Sequence, residues 1–254
     1  MAERKRPEWI GRALLEEPDK EVFAVEEAGT RYWIKKGRKT GSTAIHSLGY
    51  RLTGLPFLRP VERKDPLQSA RFEAKKLRRL KAKGVPVPAV VWEEEGLFVM
   101  EDRGESLAPR LKRERRKEAE PRLHRVADSL AQLHRAGEYH GASQIRNFTL
   151  SKEGEVSLID FEESFSEETP LEVLQFRDLF LLLYSLHRQR QEADYPILLQ
   201  RYMERSGNEN FAEELQRLYG RFRWLAAIVG IEGVRRRLGS DAEILHRLFE
   251  SLKG

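Results

Sequence analysis

His140-Gly141-Ala142-Ser143-Gln144-Ile145-Arg146-Asn147, followed by Phe148-Thr149-Leu150, Glu153-Gly154 and Val156-Ser157-Leu158-Ile159-Asp160-Phe161-Glu162, is the stretch that decides the fold. It reads as a loop ending in Asn147, then a small hairpin turning at Glu153-Gly154. Asp160 falls at the exit of the second strand. Upstream, Leu123, Val126, Ala127, Leu130, Leu133 and His134 form one apolar stripe at helical spacing, which stops at Gly137. Downstream of Pro170 come three or four amphipathic helices.

Further upstream the pattern is different. Val22–Val25 and Arg31–Lys35 are short β-type runs joined by a turn containing Gly29. Residues 37–66 are punctuated by glycine and proline, with room for one short helix in Ala44–Leu58. Ser69–Lys83 has helical spacing of Phe72, Leu77 and Leu80, and Gly84 ends it. Val85–Trp92 is extended, and Leu97–Met100 is a strand paired with it through a turn at Glu93–Gly96. Strands with one helix come first, then helices with one small hairpin. That segregation predicts an α+β chain in two lobes, a small antiparallel-sheet lobe over residues 1–103 and a mainly helical lobe over 104–254.

The chain of 254 residues can bury a real core. Its 34% charged residues exceed the usual share of about 25%, yet apolar periodicity through most of the chain excludes disorder. The absence of cysteine excludes a disulfide scaffold, a thiolate metal site and a cysteine nucleophile. No apolar region follows the charged N-terminus, and the longest apolar stretch, Trp224–Ile231, is far short of a span of about 20 residues. The expectation is a cytoplasmic protein, or one peripheral at the inner membrane.

The ordered set Ile34-Lys35, Glu73, Leu97–Gly104, His140…Asn147 and Asp160-Phe161 resembles a compact protein-kinase-like phosphotransferase. It is most similar to the bacterial lipopolysaccharide kinases (Kdo/WaaP) and to the small kinase of the KEOPS tRNA-modification complex, over roughly residues 20–190. On the residues alone Lys35 also reads as a solvated strand-end lysine and Asp160 as a turn aspartate. The resemblance implies more. Lys35 would hold the nucleotide phosphates with Glu73 as its helix partner. Lys36, next in the strand, would point to the opposite face. Asn147 and Asp160 would hold Mg²⁺, a cation suited to hard oxygen donors. His140 would support the loop and Asp178 would cap its backbone. ATP would lie between the lobes, against Met100, Glu101 and the connection to Arg103.

Two departures stand out. Ala142 occupies the place of the catalytic aspartate, and no carboxylate lies between His140 and Asn147. A positioned base is worth about 10²–10⁴-fold, but phosphoryl transfer rests mainly on positioning and electrostatics. Gln144 or Ser143 is then expected to orient an acceptor, and Glu162 or Glu163 to approach from the neighbouring loop. Nor is there a glycine-rich phosphate loop: Glu26-Glu27-Ala28-Gly29-Thr30 stands in its place. The segment from Asp160 to Asp178 leaves no room for a peptide-docking platform, so the expected acceptor is a glycolipid or small molecule. The function expected is ATP- and Mg²⁺-dependent phosphoryl transfer to a hydroxyl, with a nucleotide-binding pseudokinase scaffold as the alternative.

Three basic clusters remain: Lys75–Lys83, Arg110–Lys117 and Arg235-Arg236-Arg237. They read either as solvated faces or as contacts for an anionic lipid surface, with Leu48–Leu58 as an interfacial insert. RNA ranks below lipid, for want of an aromatic stacking platform. His124, His187 and His246 have no second ligand at metal spacing and read as ordinary helix residues.

Overall fold

A computed structural model describes residues 5–42, 59–228 and 247–252. The predicted helix in Ala44–Leu58, the Leu48–Leu58 insert, the Arg235–Arg237 cluster and His246 lie outside the described residues. So does part of the Trp224–Ile231 stretch.

The first lobe opens with helix α1 (Glu8–Glu16), which the sequence reading did not anticipate. Strands β1 (Val22–Glu27) and β2 (Thr30–Lys36) follow. Ala28 and Gly29, the two residues between the strands, both have positive φ, at 48° and 75°. A two-residue turn of that handedness matches the twist of a hairpin, so the position expected for a phosphate loop is a tight turn. Helix α2 (Pro66–Ala82) starts three residues earlier than the predicted Ser69. Asp65 accepts from the Gln68 amide at 2.8 Å, and the Gln68 side chain accepts from the Asp65 amide at 3.2 Å. This reciprocal cap, with proline at the first helical position, sets the start.

Strands β3 (Val90–Glu94) and β4 (Leu97–Glu101) complete an antiparallel sheet in the order β1-β2-β4-β3. Of the extended run from Val85, only the part from Val90 enters the sheet; Val85 and Val87 are buried beside it. Alternation along the strands sorts the side chains. Ile34, Leu97 and Val99 pack outward on Ile10 and Ala13 of α1. Phe98 and Met100 pack inward on Ala74 and Leu77 of α2. Lys35, one residue from Ile34, therefore points into the molecule. Lys36 points the other way, where its ammonium donates to the Glu17 and Pro18 carbonyls at 3.0 and 2.6 Å and so holds the end of α1.

Gly104, between β4 and the helical lobe, has a φ of +91°. A Cβ there would stand 2.0 Å from the Leu150 carbonyl oxygen, so only glycine fits. Strand β5 (Glu105–Ser106) pairs with β6 (Phe148–Leu150), and β6 pairs with β7 (Val156–Leu158), giving a three-stranded sheet where a two-stranded hairpin was predicted. Helices α3 (Leu107–Leu111), α4 (Arg116–Arg135), α5 (Leu171–Arg188), α6 (Tyr195–Ser206) and α7 (Phe211–Ile228) build the rest. The predicted stripe from Leu123 to His134 is the buried face of α4. One apolar core runs from Leu77 and Leu80 of α2 through Leu130 and Leu133 of α4 to Leu182 of α5. Helix α2 is thus packed into both lobes, and it carries Glu73 to the space between them. The two-lobed α+β architecture is the one predicted.

Candidate active site

Lys35 is 7% exposed and Glu73 1% exposed. The Lys35 ammonium lies 2.7 Å from Glu73 Oε2 and 2.5 Å from Asp160 Oδ1. Three residues from β2, α2 and the exit of β7 therefore meet at one nitrogen. Glu73 Oε1 also accepts from the Phe161 amide at 3.2 Å. Asp160 has a φ of +70°, a left-handed conformation that aspartate tolerates better than most residues. It turns the side chain back toward the sheet.

The electrostatics follow from burial and proximity. Burial works against the Lys35 charge, but Glu73 and Asp160 outweigh it and hold the lysine above its ordinary value. Burial raises the Glu73 carboxyl above its usual range; Lys35 opposes this, and Asp160 adds to it. Burial pushes Asp160 up as well, but Lys35, with Arg38 further off, brings it below the ordinary value. Oxygens of Glu73, Asp160 and Glu162 all lie within 4.8 Å of one another. An all-oxygen set so close together suits a small hard divalent cation, whose charge would offset the crowding.

The loop from His140 to Asn147 is fixed by the atoms around it. The Asp178 carboxylate accepts from the backbone amides of His140 at 2.5 Å and Gly141 at 2.8 Å, and it stands 3.3 Å from His134 Nε2. Ser143 donates to the Asp178 carbonyl. His140 Nδ1 accepts from the Ala142 amide at 3.2 Å, so Nε2 carries the proton and faces the Ile159 carbonyl at 2.9 Å. Burial lowers this imidazole to about 4, which keeps it neutral and preserves both bonds. Its ring stacks on Phe161 at 4.3 Å. Asn147 Nδ2 donates to the Ala142 carbonyl at 2.7 Å, leaving its Oδ1 as the oxygen available to a cation. The Asn147 carbonyl accepts from the Ile159 amide at 3.0 Å, one residue before Asp160. Gly141, with φ +102°, lies so close to Glu163 that a Cβ would meet that residue's Cβ at 2.9 Å.

The remaining predicted positions are placed less directly. Met100 pairs with Trp33 in the sheet and is buried, while Glu101 ends β4 and its carboxylate accepts from the Ala89 amide at 3.2 Å. Gln144 joins the loop through its backbone: its amide donates to the Ala142 carbonyl and its carbonyl accepts from the Asn147 amide. Glu163 pairs with Arg177 at 3.1 Å, and Glu162 pairs with Arg38. Sequence reasoning missed Arg38, and it read His134 as part of an apolar stripe although that ring also bridges Asp178 and Tyr202.

The basic face expected on α2 is largely accounted for inside the molecule. Arg79 and Lys83 both pair with Glu138, at 2.7 and 2.6 Å, and Arg78 pairs with Glu93. Lys76 is not solvated at all: it is 2% exposed, its ammonium sits 3.9 Å from the Tyr139 ring centroid, and it donates to the His140 carbonyl at 3.4 Å. Burial lowers it to about 8; Asp178 and Glu138 oppose the shift, while Arg79 and Lys64 add to it. The folded protein thus binds the Lys76 proton less tightly than the unfolded chain. Its charge is a penalty below about pH 8 that fades as the pH rises. Lys76→Met is expected to raise stability at pH 7 by about 1–3 kcal/mol. In urea unfolding that gain should shrink toward about pH 10.

The lysine–glutamate–aspartate cluster between a β-sheet lobe and a helical lobe defines a protein of the protein-kinase-like class. The family model described as lipopolysaccharide kinase (Kdo/WaaP) matches residues 56–202, and the chain belongs to that family. An uncharacterized protein of Haemophilus influenzae is 24% identical over 251 residues, covering 96% of this chain and 94% of the relative. Among solved structures, an aminoglycoside-3'-phosphotransferase of type VIII is similar at a TM-score of 0.43 and 15% identity, over 73% of this chain and 80% of that one. Vaccinia related kinase 3 is similar at 0.37 and 15%, over 73% and 66%.

Proposed function

We propose that the protein binds ATP with Mg²⁺ between its lobes and transfers the γ-phosphoryl group to a hydroxyl of an anionic glycolipid. The observation that carries the reading is the Lys35 ammonium held between Glu73 and Asp160. We divide the lobes between Arg103 and Gly104. Lys35 binds phosphate oxygens, with Glu73 fixing its position. Asp160 and Asn147 hold the cation, and the adenine lies against Met100 and Glu101. His140 and Asp178 keep the loop in shape, and Gln144 orients the acceptor. The acceptor oxygen forms the new bond to the γ-phosphorus, the bond to the β–γ bridging oxygen breaks, and ADP leaves with that electron pair. The acceptor proton goes to solvent, because residue 142 has no base to take it.

An anionic acceptor is supported by the exposed cations Lys112, Arg113, Arg115 and Lys117, on α3's trailing turn and the start of α4. They follow β5, where Ser106 donates to the Arg146 carbonyl of the loop at 3.0 Å. This surface, peripheral at an anionic inner membrane, is the docking face in our reading.

Ala142 favours a second reading, a pseudokinase that binds nucleotide as a regulatory scaffold. Incubation with γ-labelled ATP, Mg²⁺ and purified envelope glycolipid separates the two. Label in the glycolipid, lost in Asp160→Ala, is the expected result. Nucleotide binding without transfer to glycolipid or water would establish the scaffold instead.

A further inference from the structure

Arg38 lies just past β2, three residues from Lys35, and forms a forked pair with Glu162: Nε donates to Oε2 at 2.8 Å, and Nη2 donates to Oε1. The side chains are 46% and 13% exposed, so the pair sits at the mouth of the cleft. Beside it, Lys35 bridges Glu73 and Asp160. Two cations of the sheet lobe are therefore bound to carboxylates around Asp160, and oxygens of Glu162 and Asp160 are within 4.8 Å.

The geometry points to Arg38 as a second phosphate-binding cation and Glu162 as a further carboxylate for the divalent ion, held paired to each other until nucleotide and metal exchange partners with them. The inference rests on the nucleotide-binding reading above. The argument is one of matched groups. A metal–nucleotide complex brings anionic oxygens and a hard cation together. Lys35 and Arg38 match the oxygens, and Asp160 and Glu162 match the ion. Arginine binds a phosphate through the same fork with which it now holds Glu162. The tight Ala28-Gly29 turn provides no glycine-rich cradle, and Arg38 supplies positive charge to the phosphates from the other end of β2.

The partner-exchange model separates the two residues experimentally. A pair that only braces the lobes loses the same interaction whichever member is changed, so both variants would behave alike. Under exchange they diverge. ATP affinity is measured by calorimetry on the full chain in EDTA, and Mn²⁺ affinity without nucleotide by electron paramagnetic resonance. Glu162→Gln leaves Arg38 with only its longer pair to Glu21 at 3.9 Å, so metal-free ATP is expected to bind about threefold tighter, while Mn²⁺ binds about tenfold weaker. Arg38→Gln is expected to do the reverse, with ATP about tenfold weaker and Mn²⁺ somewhat tighter. Arg38→Lys keeps the charge without the fork and should fall between wild type and Arg38→Gln for ATP. Parallel changes in both variants, or no change, would overturn the inference while leaving nucleotide binding intact. A wild-type chain that bound neither ATP nor Mn²⁺ would remove the nucleotide reading itself.

Discussion

Lys35→Met is expected to destabilise the folded protein by about 3–5 kcal/mol and to abolish its response to nucleotide. The methionine keeps the volume but leaves Glu73, which is almost wholly buried, facing Asp160 and Glu162 without a counter-charge. Glu73 would then rise still further above its ordinary value. The folded state would keep a proton that the unfolded chain has already released, so stability would fall as the pH rises. The deficit relative to wild type should be smaller at about pH 5 than at about pH 8. Urea unfolding at the two pH values checks this. A deficit independent of pH would mean that Lys35 contributes by packing alone.

Asp178→Ala should be as damaging by a different route. The wild-type carboxylate is fully buried and accepts from two consecutive amides of the 140–147 loop, with His134 alongside. Alanine leaves those amides buried without partners and removes the anchor of the loop. A loss of about 3–5 kcal/mol is expected, or roughly 10 °C in melting temperature for a chain of this size. Burial works against the Asp178 charge, but the His134 hydrogen bond and His140 outweigh it and hold the carboxyl below its ordinary value. Its contribution is therefore complete above the unfolded value of about 3.9 and is lost as the pH falls through the lower folded value. Wild type and variant should converge in strongly acidic solution. Denaturant midpoints across the acid range measure the convergence, and a gap that stayed constant would contradict the assignment.

The arrangement was legible where local pattern and chemistry coincide. The hairpin leading to Asp160, the alternation that turns Lys35 inward and the helix carrying Glu73 all follow from period-two and helical spacing, and the three side chains do meet. The Asp65-Pro66-Leu67-Gln68 signature contained the true start of α2, although the apolar stripe begins later. Helix α1 was overlooked because its apolar residues lie in a short charged segment. Lys76 was read with its neighbours as part of a surface cluster, solvated or facing an anionic surface, because a run of lysine and arginine has no marker for the one member that packs on the Tyr139 ring. Arg38 and Glu162 are 124 positions apart, and nothing in either neighbourhood announces the other. Long-range pairs of this kind depend on how the sheet lobe closes on the loop after Asp160, which local spacing does not encode.

The most direct test is a calorimetric titration of ATP with Mg²⁺ into the full chain and into Asp160→Ala. Saturable one-to-one binding to the wild type, abolished by the substitution, is the result expected if Lys35, Asn147 and Asp160 form a nucleotide site. No binding to the wild type, or equal binding to both proteins, would contradict it.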